Sequence, residues 1–238
     1  MTKYNIEFLN EVESTNTYLK EKVRKQGLVS PYCVTAAVQS HGKGQRKKAW
    51  ESEPYDNILA SFLVNKPGSF NDLSKLNYVA ALAVVDCLQN AGIAHVAIKW
   101  PNDVYVADKK IAGILIENSL TAHEVKNAVV GIGLNVNQVQ FASFSATSMA
   151  LETAKTWDAT QVLHQLYDTF YYYLKQDLSK LLLSVNELLF KKNEAVTFEQ
   201  DGRMMEYKIK AVLANGNLAA LLNENQIELE HHKVKWIL

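Results

Sequence analysis

Apolar and polar positions follow one another along this chain in segments short enough to mark out elements. Alternation over Asn5 to Leu9 predicts a strand, and the polar cluster Glu13-Ser14-Thr15-Asn16 supplies capping oxygens for a helix carrying Tyr18, Leu19 and Val23 that ends near Gly27. Small and β-branched residues from Cys33 to Gln39 predict a buried strand, and Asn57 to Val64 a second. From Asp72 to Asn90 the residues Leu76, Val79, Ala80, Ala83, Val84, Cys87 and Leu88 recur on one broad helical face, with Gly92 as the stop. Val96 to Trp100 is a strand that must end at Pro101, which has no N–H for a central ladder; Asn102-Asp103 follows as a turn-forming pair. Val104 to Val106 and Ile111 to Ile116 are extended runs joined by the polar turn Ala107-Asp108-Lys109, a hairpin that presents Lys110 near Asp103. The apolar run Val125 to Val136 contains Gly131 and Gly133, which mark close approach by a ligand or another backbone, or packing against a helix.

After Ser148 the pattern turns helical, first to Ala154 and then from an Asp158 N-cap through Tyr173 or beyond, with Leu163, Leu166, Phe170 and Leu174 at core spacing. From about Ala195 the period switches to two. Asp201-Gly202 and Asn215-Gly216 mark hairpin turns, and runs at Met205 to Leu213, Leu218 to Leu222, Ile227 to Leu229 and Val234 to Leu238 fill a small barrel-like module. The chain therefore divides into a large α+β unit over residues 1–192 and a β module over residues 193–238. That module either caps the larger unit or binds RNA or protein; its unclustered basic residues favour the cap.

Composition narrows the class. With 238 residues and 48% hydrophobic content, the chain can bury a sizeable core. Its 25 basic and 25 acidic residues cancel, so bulk charge does not advertise a nucleic acid or a membrane surface as partner. Cys33 and Cys87 lie in apolar surroundings with no second ligand at metal spacing and read as free buried thiols of a reducing cytoplasm. The N-terminus has no apolar leader, and no apolar run approaches the ~18 residues that span a bilayer, which predicts a soluble, intracellular protein.

Three stretches carry candidate chemistry. Ser40 to Trp50 combines Gly42 and Gly44 with Lys43, Arg46, Lys47 and Lys48, and has too few apolar groups to offset its ordering entropy. It is either a solvated basic loop or a segment whose glycine-freed N–H groups and Lys43 or Arg46 wrap an anion. It lacks the Gly-Lys-Ser/Thr ending of a Walker loop. Asp103 and Lys110 are either a surface hairpin pair or a site for a polyanion, with Asp103 offering an oxygen to Mg2+ and Lys110 neutralising charge on a phosphoryl or carboxylate oxygen. Asn135, ending its strand, is a turn cap or a ligand contact.

Together these segments resemble the biotin–protein ligases, of the short kind without an N-terminal DNA-binding domain, from roughly residue 5 to the C-terminus. Ser14-Thr15-Asn16 resembles that family's biotin-contacting S-T-N, Gln39 its biotin-binding glutamine, and Trp50 the tryptophan closing its glycine-rich loop. Lys99-Trp100-Pro101-Asn102-Asp103 and Lys110-Ile111-Ala112-Gly113-Ile114-Leu115 are similar to its K-W-P-N-D and K-x-x-G-I-L, and Gly131 to Asn137 to its G-x-G-x-N-x-N. The resemblance implies a mixed-sheet α+β catalytic domain of class II synthetase type with a small SH3-like β-barrel. It implies biotin contacts from Ser14, Thr15, Asn16, Gln39, Gly42, Lys43, Lys110, Gly113, Ile114 and Leu115, and ATP contacts from Lys43, Arg46, Trp50, Asn102, Lys110 and Asn135, with Asn135 also meeting the metal. Lys110, Arg46 and Asp103 would carry catalysis.

The implied reaction joins biotin to AMP at the expense of Mg-ATP, then passes biotin to a lysine of a carboxylase carrier domain. A cytoplasmic monomer or homodimer is implied, with no specific DNA binding and no membrane. The loop departs from the family's G-R-G-R/Q-x-G-x-x-W. Lys43 replaces a fork-shaped arginine, and Lys47 replaces a glycine, where a positive φ would cost about 1 kcal/mol or more. Weaker closure over the adenylate is the expected result. Three other readings remain: a protein that only retains biotin or its adenylate; a lipoate–protein ligase, whose R-R-x-S-G-G-G run is missing here; and an RNA-binding protein using Lys43 to Lys48.

Overall fold

The computed structural model describes residues 4–47, 49–65, 67, 73–120, 125–142 and 145–237. Strands β1 (Ile6–Val12), β2 (Cys33–Gln39), β3 (Ile58–Asn65), β4 (Val96–Lys99), β5 (Asp103–Val106), β6 (Lys109–Leu120) and β7 (Val125–Leu134) form one seven-stranded sheet in the order β1-β2-β3-β7-β6-β5-β4. Helix α1 (Thr15–Gln26) connects β1 to β2, the one parallel pair; the other pairs are antiparallel, so the sheet is mixed.

Alternation along β3 sends neighbouring side chains to opposite layers. Phe62 joins the core formed with α2 (Leu73–Asn90) and α4 (Ala159–Leu174), whereas Leu63 packs with Leu19 and Val23 of α1. The first layer is thick and mostly apolar: Phe62, 0% exposed, stacks on Phe170 with ring centroids 4.6 Å apart. The second covers only part of the sheet, and the uncovered part becomes the cleft described below.

Helix α3 (Met149–Thr153) and the Asp158 cap of α4, which accepts from the N–H groups of Thr160 and Gln161, follow the sequence pattern. The helix expected from Asp158 through Tyr173 is α4, and a further helix follows it. The chain leaves α4 at Lys175, and Asp177 adopts an extended N-cap backbone that starts α5 (Leu178–Glu187).

Strands β8 (Ala195–Gln200), β9 (Arg203–Val212), β10 (Leu218–Leu222), β11 (Asn225–Leu229) and β12 (Val234–Trp236) form a five-stranded antiparallel sheet in the order β11-β10-β9-β8-β12. This order leaves β11 and β12 as edges. The sheet shares the main core through Phe198, Tyr207 and Leu218. Trp100, at the end of β4, fastens the junction: its indole N–H donates to the Gly216 carbonyl (2.8 Å) and its ring meets Phe198 edge-on at 6.5 Å.

Cys33 and Cys87 are free and buried, and burial pushes the Cys87 thiol up to about 12. Among the described residues, no helix is long and apolar enough to cross a membrane. Truncating the most deeply shared core ring, Phe62→Ala, should lower the unfolding free energy by about 3–5 kcal/mol. Urea titration would show this as a lower midpoint with an unchanged slope.

Candidate active site

The α1 face of the central sheet opens into a cleft lined by Thr15, Asn16, Gln39, Trp50, Lys110 and Gly133. Its polar end is built on the first turn of α1, where helix N–H groups lack intrahelical partners. Ser14 takes the N-cap backbone conformation but makes no side-chain cap bond, and Gln39 of β2 serves the turn instead. The Gln39 Oε1 accepts from the Thr15 N–H (2.7 Å) and the Thr15 hydroxyl (3.0 Å). Ser61 Oγ, on β3, lies 2.8 Å from Thr15 Oγ1 and donates toward Asn16 Oδ1 at 2.6 Å. The Asn16 amide nitrogen donates in turn to the Leu115 carbonyl (3.2 Å) and to Glu117 Oε2 (2.9 Å). Burial raises the Glu117 pKa, but hydrogen bonds from Lys20 and Asn16 outweigh it, and the carboxyl is held below its ordinary value.

Missing side chains on the sheet make the remaining space. Along β6 and β7, Leu115 pairs with Gly131 and Gly113 with Gly133. A Cβ on Gly131 would stand 2.5 Å from Asn16 Oδ1, and one on Gly133 would stand 2.4 Å from the Trp50 indole. Asn16 and Trp50 thus rest directly on the backbone, about 7 Å apart along the strand. Among the described residues, the buried Trp50 indole N–H has no acceptor.

The charged end depends on an irregularity. Strict alternation along β6 would put Lys110 on the face of Ala112 and Ile114, which are buried in the core. The β5–β6 register instead slips between Val104 and Tyr105: Val104 faces Ala112, Tyr105 faces Lys110, and Ile111 is the extra residue of a bulge. The parity shift brings Lys110 Nζ to 2.7 Å from Asp103 Oδ1 and 5.4 Å from the Trp50 ring centroid. Residues after β7 zip onto it, since the Lys110 N–H donates to the Ser145 carbonyl and the Thr147 N–H to the Lys110 carbonyl.

The glycine-rich loop is a tight return, with Lys43 bridged to Ala49 and the Trp50 N–H donating to the Gly42 carbonyl. Lys43 Nζ donates to Thr17 Oγ1 at 3.0 Å. Among the described residues of this loop, positive φ falls on Arg46 (55°), not on Lys47. The Arg46 guanidinium points away from the cleft and donates to the carbonyls of His231 and Val234 at the C-terminal sheet.

Of the residues singled out in the sequence, Ser14, Thr15, Asn16, Gln39, Lys43, Trp50, Asn102, Lys110, Gly113, Ile114 and Leu115 line the cleft. Gly42 lines the recess beside it, and Asp103 reaches it through Lys110. Asn135 is buried behind it, its amide donating to the Thr147 carbonyl at 2.9 Å. Ser61, Glu117 and Gln45 escaped sequence reasoning. Only Ser61 left a signal, as a lone hydroxyl inside the apolar run Leu59-Ala60-Ser61-Phe62-Leu63.

Polar pairs at one end, an aromatic and glycine floor in the middle and an ammonium at the other end suit a molecule with a hydrogen-bonding head, an apolar body and an anionic tail. Comparison with known proteins points the same way. Residues 8–135 match the model of the biotin/lipoate A/B protein ligase family. The biotin–[acetyl-CoA-carboxylase] ligase of Paracoccus denitrificans is 38% identical over 112 residues, 46% of this chain and 46% of that one. The bifunctional ligase/repressor BirA of Bacillus subtilis is 33% identical over 105 residues, 44% of this chain and 32% of that one. The chain thus spans less than half the length of either relative. A solved biotin protein ligase from Aquifex aeolicus, in complex with biotin and ATP, superposes with a TM-score of 0.83 at 26% identity, covering 98% of each chain. The family match takes in more than half of the 238 residues, and the chain belongs to the biotin/lipoate A/B protein ligase family.

Proposed function

We propose that this protein is a biotin–protein ligase, which converts biotin and ATP to biotinyl-5'-AMP and transfers biotin to a lysine of a carboxylase carrier domain. The observation that carries the reading is that Thr15 and Gln39 line the same cleft as the Trp50 indole and the Lys110 ammonium. A ureido head both donates and accepts hydrogen bonds, as that pair does. An aliphatic chain suits the indole and the glycines, and a carboxylate suits Lys110. The Aquifex aeolicus ligase, bound to biotin and ATP, supports the same assignment.

In the first step a biotin carboxylate oxygen attacks the α-phosphorus, and the bond to the β-phosphate oxygen breaks to release pyrophosphate. Lys110 neutralises charge on the carboxylate and the α-phosphoryl oxygens. In the second step the acceptor amine attacks the acyl carbon, and the acyl C–O bond breaks to release AMP. Asp103, held by Lys110, orients that amine or takes its proton. Neither step needs a nucleophile from the enzyme. The work is positioning and charge stabilisation, with Trp50 and the loop keeping water from the anhydride.

Mg2+ arriving with ATP takes most of its ligands from phosphate and water. Among the described residues no group of three or more histidine, cysteine or carboxylate ligands gathers, Asp103 is engaged by Lys110, and Asn135, whose amide nitrogen donates to the Thr147 carbonyl, would offer one oxygen. A carboxylate paired with an ammonium and a single amide oxygen do not fit a resident metal. We also read residues 1–192 as the catalytic domain and the five-stranded sheet of residues 193–238 as an SH3-like module, in a protein that works in the cytoplasm, where ATP and the carrier domain are.

Incubation with biotin, Mg-ATP and a carrier domain should add one biotin to a single lysine, read by intact mass. Lipoate in a parallel reaction should give no addition. Tight biotin binding without any transfer would make the protein a binder and remove the ligase reading. Lys110→Ala should reduce adenylate formation by about 100-fold or more while the far-UV CD stays unchanged. Near-normal turnover would remove the central assignment. Gly133→Ala, whose methyl displaces the Trp50 ring, should raise KM for biotin with little loss of stability, as judged by steady-state kinetics beside thermal melting.

A further inference from the structure

Arg46 carries a function other than the phosphate contact that the sequence suggests. Its guanidinium Nη2 donates to two backbone carbonyls, that of His231 in the turn between β11 and β12 and that of Val234 at the start of β12 (2.5 Å to the latter). Its backbone sits at φ 55°, a conformation that costs a non-glycine residue about 1 kcal/mol and persists where surrounding contacts hold it. Immediately before it, Gln45 lines the cleft. Four residues after it, Trp50 lies over Gly133 and beside Lys110. The carbonyl-bearing segment has a second contact with the site, because the His231 ring meets Trp100 edge-on at 6.5 Å, and Trp100 leads directly into Pro101, Asn102 and Asp103. Both flanks of the reacting centre therefore lean on one turn of the C-terminal sheet.

We propose that Arg46 is a positioning residue, whose guanidinium ties the glycine-rich loop to the C-terminal sheet and so holds Trp50 beside Lys110. The acceptors are main-chain oxygens, so only the arginine side chain makes the tie specific. A loop carrying Lys43, Arg46, Lys47 and Lys48 has little apolar surface of its own to hold it in place. The tie makes the C-terminal module part of the active site without giving it a residue that touches substrate. The kinetic consequence rests on the ligase reading; the tie itself does not.

The test uses the full chain as wild type, Arg46→Gln and Arg46→Lys. Arg46 is exposed, so the variants should fold. Ligand-free protein is digested with a lysine-specific endoprotease, and cleavage after Lys43 and Lys47 is timed. Arg46→Gln should be cut about tenfold faster than wild type; Arg46→Lys, which adds a cleavage site but keeps a cation that can donate to the same carbonyls, is compared by KM for ATP, where it should fall between the two. Equal rates would overturn the proposal whatever the protein's substrate. With biotin and ATP, Arg46→Gln should raise KM for ATP by about tenfold and leave kcat for adenylate formation within about twofold. A fall in kcat with KM and cleavage both unchanged would instead make Arg46 a phosphate contact and overturn the proposal. Failure of the ligase reading would appear separately, as wild-type protein that forms no adenylate while the cleavage difference stands.

Discussion

The site depends on a steric constraint: one face of the central sheet carries no side chains where Gly113, Gly131 and Gly133 lie side by side. A Cβ at any of the three would meet a neighbouring heavy atom at 2.9 Å or less. Glycine in a strand weakens the strand itself, and here the loss is offset from the other face, where Ile114, Val130 and Ile132 are buried against the helical layer. The sheet is thus solid on one side and hollow on the other. The hollow side admits Asn16 and Trp50 close enough to the backbone for the cleft to have a floor.

Much of this was legible beforehand, because periodicity and turn chemistry agree over most of the chain. The strand from Cys33 to Gln39 has its predicted ends, the helix through Leu88 ends at Asn90 as expected, and Lys110 lies near Asp103 as expected, although through a bulge and not a regular hairpin. What was hidden depends on atoms distant in sequence. Nothing local to Ile111 says that it is the unpaired residue of a bulge, since the turn at Asp108 would close a regular hairpin equally well. Nothing local to Arg46 says that its side chain goes to a carbonyl 188 positions away, in a different sheet. The break between Leu174 and Leu178 was also concealed, because apolar residues continue through it at nearly helical spacing.

The two sheets share one continuous core, and their junction explains the position of Trp100. Its ring fills the space between Phe198 and His231, and its N–H serves the Gly216 carbonyl in the turn between β9 and β10. A tryptophan there does in one residue what a longer interface would need several to do: it buries a large apolar area and satisfies a main-chain acceptor. The turn that follows it, Pro101 to Asp103, is therefore set by the C-terminal sheet as much as by its own strand.

The bulge at Ile111 makes strand register a determinant of chemistry. With the same residues in a regular ladder, the lysine would turn toward an apolar layer that has no partner for an ammonium, and the carboxylate would lose its counter-charge. Such a chain would keep every element, every motif and most of its core, and its cleft would lack the Lys110–Asp103 pair. The charge pattern of the cleft is therefore carried partly by parity, a property that lies in the pairing of two strands and in no single side chain.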